Sequence, residues 1–366
     1  MSKRSLFARS AGYCLSAALL FAVVTSGVAF AAPPDHAKGK PPAATAQSIL
    51  GGPMILKDEG IFFVNGDPII SDFPRLPPDP GTIVVNQMYV HFRIPANAAN
   101  RPPIVMVHGG GLTGASYETT PDGREGWATY FVRKGYPVYV VDFPGRGRAG
   151  FDPTAINQAK FEDDVGLLPA SVNRTSAERA WVVFRFGPTF GTPFPDVLFP
   201  VESMVEFGSQ GVPGTDAFLP GGALTQAPAA LAALLDKIGP AVVVVHSQSG
   251  PFADRLVELR PNLVKGVINV EGNQNTVPTD AQIAAYQNVP DLELFGDYID
   301  VDVSTGKPRY EGRKLVVERI NEAGGNATIV SLPEVGMHGN THMLMQDKNN
   351  LEVADYLIEW IKDNVN

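Results

Sequence analysis

Short apolar runs rich in β-branched residues recur along the chain, each bounded by Gly, Pro or Asp. Between them lie longer stretches whose apolar positions fall at helical spacing. Runs that are apolar nearly throughout predict strands covered on both faces: Ile104 to Val107, Pro137 to Val141, Ala241 to Val245, Val267 to Val270, Leu292 to Phe295 and Thr328 to Leu332. The period of 3.6 predicts helices over Trp127 to Lys134, Ala227 to Ile238, Pro251 to Leu259, Lys314 to Ala323 and Leu351 to Ile361, several of them ending in glycine or followed by proline. Strands alternating with helices define the α/β class, a mostly parallel sheet with helices on both faces.

One irregularity breaks the alternation. After the fourth-strand candidate, which ends at Val141, the next strand and helix unit is delayed until about Leu224, leaving about 75 residues that a sheet does not need. Residues 150–221 hold nine of the 20 Phe and one of the three Trp, while Pro and Gly interrupt any long helix. That composition predicts a cap inserted after the fourth strand and folded over a pocket, with a leaning towards apolar or aromatic substrates. The remaining sheet and helix signals, in 48–149 and 222–366, form the core.

The N-terminus has the pattern of an address. Lys3, Arg4 and Arg9 precede an apolar run from Tyr13 to Val24, too short to span a bilayer comfortably, and Ala29-Phe30-Ala31 supplies a small-x-small cleavage site. Residues 1–31 therefore read as a secretory signal peptide, and 32–47, polar and Pro-rich, as a disordered leader. No later stretch approaches 18 apolar residues, so no stable membrane anchor is expected and the protein is expected outside the cytoplasm, secreted or periplasmic.

Composition removes several kinds of chemistry. The 366 residues are 44% hydrophobic and 18% charged, which is enough to bury a core. The net charge of −9 and the lack of any dense Lys/Arg cluster argue against a nucleic-acid partner. The single cysteine, Cys14, lies in the signal segment, so the exported chain has no thiolate nucleophile, no disulfide and no Cys-ligated zinc. No phosphate-cradling glycine loop with its lysine is present. Asp300-x-Asp302-x-Ser304, with Glu311 at the twelfth place, echoes a calcium loop, but Thr305 stands where that loop needs glycine, so no metal and no cofactor are expected.

Candidate chemistry concentrates at Val245-His246-Ser247-Gln248-Ser249-Gly250. Four valines run into it and Pro251 opens a helix after it, so Ser247 sits where strand converts to helix, as in a nucleophile elbow. Val245 stands where glycine is usual. A serine hydroxyl is a poor nucleophile at neutral pH and requires a neutral imidazole to accept its proton and a carboxylate to orient that imidazole. Of the histidines, His338 and His342 lie on a late loop between the last strand and the last helix, and His342, nearer the helix, is favoured. For the carboxylate the residues leave Glu271, at the end of the next strand, open against Asp297 and Asp300, which follow the strand after that. His108-Gly109-Gly110-Gly111 closes the third-strand candidate, where the Gly110 N–H can pair with that of Gln248 as an oxyanion hole.

These features together resemble the α/β-hydrolase superfamily over most of Ser48 to Asn366: the glycine run, Asp142-Phe143-Pro144-Gly145-Arg146-Gly147, the Ser247 elbow and a late histidine. More narrowly, His108-Gly109 with Leu112-Thr113-Gly114, the run Glu118 to Arg124, His246 to Gly250, Gly339 to Met343 and Gln346-Asp347 resemble a small group of exported bacterial carboxylesterases. The resemblance implies a Ser-Glu-His triad with Glu271 as the acid. Where some relatives carry adjacent cysteines after His-Gly, this chain has Gly110-Gly111.

The expected function is hydrolysis of small-molecule carboxylic esters through an acyl-enzyme intermediate, with amide cleavage or lactone opening on the same machinery as the alternative. A non-catalytic exported ligand-binding protein is a further, weaker alternative. An unperturbed histidine would place the acid limb of activity near pH of about 6.5. Acyl and alcohol specificity and oligomeric state do not follow from the residues.

Overall fold

The computed structural model describes residues 53–72, 80–98, 100–273, 277–302 and 305–365. The chain divides into Met1–Ala44 and Thr45–Asn366, and everything below concerns the second unit. The expected signal peptide, 1–31, and leader, 32–47, lie outside the described residues.

Eight strands form one sheet in the order β1-β2-β4-β3-β5-β6-β7-β8. They are β1 Leu56–Ser71, β2 Gly81–Pro95, β3 Ile104–Val107, β4 Val138–Asp142, β5 Ala241–His246, β6 Val264–Val270, β7 Asp291–Phe295 and β8 Ala327–Ser331. β1 and β2 pair antiparallel, as do β2 and β4; every other pairing is parallel. The apolar runs are the central strands: β3, β5 and β7 are buried at every position. Alternate residues serve opposite faces, Val243 and Val245 in one core cluster and Val242 and Val244 in the other, so both faces are covered as the continuous runs require.

The helices are α1 Ala115–Glu118, α2 Trp127–Arg133, α3 Thr154–Glu162, α4 Ala177–Val183, α5 Met204–Gln210, α6 Ala223–Ile238, α7 Gly250–Leu259, α8 Asp280–Ala285, α9 Gly306–Glu322 and α10 Asn350–Asn364. Two begin earlier than the sequence pattern predicts, each by more than a turn, and the second of them extends back past a proline. α6 starts at Ala223, after Gly222 in a left-handed conformation, and carries Pro228 inside it. α9 starts at Gly306 with Pro308 in its first turn, where a missing N–H is harmless. Asp302, from the calcium-like motif, caps that start: it accepts the N–H groups of Thr305 and Gly306, at 3.0 and 2.8 Å, and the Thr305 hydroxyl.

Residues 150–221 contribute α3, α4, α5 and short 3₁₀ turns, and no strand of the sheet. Many of their aromatics fill space: Trp181, Phe186, Phe199 and Phe207 join one of the two core clusters, with Phe186 and Phe199 stacked at 3.8 Å between centroids. The backbone of this segment is stitched to the loop after β8. Leu198 N–H donates to Gly339 O at 2.8 Å, Lys348 N–H to Leu198 O at 2.8 Å and His342 N–H to Phe184 O at 3.0 Å.

Candidate active site

All the parallel strands deliver their next residues to the same edge, the carboxyl ends, where α/β sheets present functional groups. Gly109 to Leu112 follow β3, Ser247 follows β5, Glu271 follows β6, Asp297 and Asp300 follow β7, and His338 and His342 follow β8.

Ser247 begins a 3₁₀ turn, Ser247–Ser249, between β5 and α7, with φ of 52°, a left-handed conformation that costs a non-glycine residue strain energy and marks a sharp elbow. Ser249 holds the elbow from inside: its hydroxyl oxygen accepts the His246 N–H at 2.8 Å and lies within hydrogen-bond distance of the Val107 and His246 carbonyls. The close approach that glycine usually permits at position 245 falls elsewhere. A Cβ on Gly109 would lie 2.6 Å from His246 Nδ1 and 3.0 Å from Ser247 Cβ, and one on Gly250 would lie 2.9 Å from Gly272 Cα. Val245 itself is fully buried in the core. The Ser247 hydroxyl makes no hydrogen bond among the described residues, and the residue is 7% exposed.

Glu271 and His342 meet. The Nδ1–H of His342 donates to Glu271 Oε2 at 3.1 Å, and both side chains are fully buried. That bond fixes the tautomer and leaves the Nε2 lone pair free to accept a proton. The other carboxylate oxygen, Oε1, accepts the Gly296 N–H at 2.7 Å and Nη2 of Arg185. Glu271, like Ser247, has a left-handed backbone, φ 53°. Burial alone would raise its pKa; Arg185 and the His342 contact reverse this and hold it well below the usual carboxylate range.

The His342 ring is packed on both sides. Phe184 stacks on it at 5.0 Å, and His246 lies 4.7 Å away, its Nε2–H donating to the His342 carbonyl at 3.0 Å. Nη1 of Arg309 lies 3.3 and 3.5 Å from the two ring nitrogens, nearly equidistant and therefore over the ring rather than along one lone pair. Burial and the Arg309 charge bring the imidazole down to about 4, against the opposing pull of Glu271. That lies below the value of about 6.5 of an unperturbed histidine.

The other candidates are placed apart from this pair. His338 is 64% exposed, 3.7 Å from Asp297. Asp297 accepts the Gly339 N–H at 3.0 Å through Oδ2 and takes Nε of Arg185 on its carbonyl at 2.8 Å, which supports the loop carrying His342. Asp300 is exposed and pairs with Lys307. The same loop is braced by Asp347, which accepts the N–H and hydroxyl of Thr341 at 2.7 and 2.8 Å. Arg124 donates to the carbonyls of Gln346 and Asp347, so two motifs more than 200 residues apart close on each other.

Gly110 lies against Gln248: a Cβ there would sit 3.0 Å from Gln248 Oε1. The Gly110 N–H finds no acceptor among the described residues, and the Gln248 N–H opens a 3₁₀ turn, where the first amides lack partners inside the turn. The Gln248 side chain is tied back by Asp216 and Arg146, at 2.6 and 3.3 Å. A strained serine, a buried carboxylate-oriented imidazole and two amides on adjacent loops form a set suited to acyl transfer.

A solved bacterial esterase is 39% identical, covers 86% of this chain and 98% of its own, and superposes with a TM-score of 0.78. The chain belongs to the α/β-hydrolases. No protein-family profile matches it. A probable secreted lipase of a fungal species is 29% identical over 322 residues, 75% of this α/β-hydrolase and 85% of the fungal protein. No helix among the described residues is long and apolar enough to cross a membrane.

The residues that sequence reasoning missed are Arg185 and Arg309. Neither is singled out by its position in the sequence: Arg185 falls in the segment read as cap and Arg309 within the calcium-like stretch ahead of the helix expected from Lys314, and each reaches the pair through tertiary packing.

Proposed function

We propose that this α/β-hydrolase is an exported serine carboxylesterase acting through an acyl-enzyme. Ser247 attacks the ester carbonyl while His342 Nε2 takes its proton; Glu271 holds the ring and balances the imidazolium charge. The Gly110 and Gln248 amides receive the oxyanion, each contributing roughly 10² to 10³ in turnover. His342 returns the proton to the departing alcohol, and water, activated in the same way, releases the acid. Residues 150–221 act as the cap. The N-terminal 31 residues act as the export signal, and a mature N-terminus at Ala32 is the expected product of processing.

The observation that carries the reading is the sealed Glu271–His342 hydrogen bond beside the strained Ser247 elbow. A buried ion with no other purpose would be costly, and the sequence order Ser, Glu, His is that of this fold's catalytic groups. Support for ester substrates comes from the names of the bacterial and fungal relatives. Ser247→Ala tests it: ester hydrolysis should fall by roughly 10⁴ or more and fluorophosphonate labelling should vanish, with the fold intact by circular dichroism. Retained turnover would remove Ser247 from the reaction.

A further inference from the structure

Two cavities meet at Gly111 and Thr175, beside the Gly110 amide. One is narrow, with room for about 30 Å³, enclosed by Gly110 to Leu112, α4 and α5. The other is wide, about 410 Å³, and runs past Ser171, Asn173 and Asp216. They differ in chemistry as well as in size. The narrow one is walled by Leu112, Ala180, Phe184, Met204 and Phe207, and Phe184 is the residue stacked on the His342 ring. It therefore opens against Gly110, one of the two proposed oxyanion amides, and one of its walls, Phe184, is the face on which the base rests.

Resting on the esterase reading, the geometry points to the narrow cavity as the acyl pocket of a short-chain esterase and to the wide one as the exit of the alcohol. The acyl group stays bonded to Ser247 after the first step, whereas the alcohol takes a proton from His342 and must leave; a confined space suits the first and an open one the second. Room of this size holds roughly two or three water molecules, and so an acyl chain of roughly two or three carbons, since a methylene and a water occupy comparable space. Long fatty acyl chains do not fit, which sets this chain apart from what the name of its fungal relative implies.

Two wall positions set the depth. Gly208, an exposed residue of α5 on the cavity rim, has nothing within 4 Å of the place a Cβ would occupy, so an added Cβ displaces no neighbour. Met204, half-buried one turn earlier on the same helix, closes the cavity with a flexible side chain. The experiment measures kcat/KM of the full chain on p-nitrophenyl esters from acetate to octanoate for wild type, Gly208→Leu and Met204→Ala, with Ser247→Ala as control. Wild type should lose tenfold or more between propionate and hexanoate, a contrast of the size a few methylenes produce, roughly 10-fold or more. Gly208→Leu should steepen that fall and Met204→Ala should flatten it. Equal turnover of octanoate and propionate by wild type, or a profile unmoved by both substitutions, overturns the pocket assignment while Ser247→Ala stays inactive. An active Ser247→Ala overturns the esterase reading itself.

Discussion

Arg185 donates Nη2 to Oε1 of Glu271, and both side chains are buried, Arg185 to 1% exposure and Glu271 completely. The arginine comes from the segment inserted between β4 and α6, while the glutamate ends β6 in the sheet. The segment between β4 and α6 thus supplies the charge that keeps the buried acid ionised.

Arg185→Met should lower kcat by roughly 10²-fold, the scale of a misplaced catalytic group, with KM nearly unchanged. Arg185→Lys should recover part of the loss. Because Arg185 also depresses the His342 pKa, the acid limb of kcat/KM should move to higher pH in Arg185→Met. An unaltered pH profile would leave Arg185 a packing residue only.

The acid limb of kcat/KM in the wild type should lie near pH 4, where the buried His342 takes up its proton. Stability follows the same group. The folded ring titrates near 4 and an unfolded histidine near about 6.5, so between these values the unfolded chain binds more protons, and stability is lost as pH falls through that window. Glu271, held ionised in the fold, adds to the loss at lower pH, because the unfolded carboxylate protonates first. Urea titrations at pH 7 and pH 5 on wild type and His342→Gln check the sign: the variant should gain relative to wild type at pH 5.

The elbow separates two neighbouring glycines. Gly109→Ala drives a Cβ to 2.6 Å from His246 Nδ1 and against Ser247 Cβ, both buried, so it should destabilise by about 1–3 kcal/mol and disturb the nucleophile. Gly110→Ala meets first the flexible end of Gln248, at 3.0 Å, and should cost less in stability while still lowering kcat. Thermal melts and kinetics of the two variants should rank them in that order.

Away from the site, Arg313 lies fully buried between Asp254 and Glu293, with Nη1 2.9 Å from Asp254 and Nε 2.7 Å from Glu293. Arg313→Met leaves two buried carboxylates without their cation and should lower stability by about 3–5 kcal/mol. Chemical denaturation measures it; a loss below about 1 kcal/mol would mean that the carboxylates pick up protons at no cost.

The sequence carried the six parallel strands clearly because the central ones are buried on both faces and therefore apolar throughout, whereas the antiparallel β1 and β2, with exposed residues among buried ones, were not read from it. The observed limits of the parallel strands lie within one residue of the apolar runs at every end but one; β6 begins three residues earlier, at Val264. The helix starts were harder: Pro228 and Pro308 look like boundaries and lie inside their helices. Ser247 and its oxyanion neighbours were legible because an elbow is local chemistry, a strand, a serine and a helix within a few residues. Glu271 was not separable from Asp297 or Asp300 by spacing, since all three follow neighbouring strands; its two-sided grip by His342 and Arg185 exists only in three dimensions. Arg309 shows the same limit, for an arginine ahead of the helix that the pattern predicts carries no sign that it covers an imidazole.

The backbone bonds that join Phe184 and Leu198 to the loop after β8 divide the inserted segment into two parts with different freedoms. Around Asp163 to Arg174 most residues are exposed and few bonds reach the sheet, so this stretch should tolerate insertion or trimming without disturbing the strands. From Phe184 to Leu198 the same edits would shift the His342 ring and its Glu271 partner together, so tolerance of such edits is confined to the exposed half of the segment.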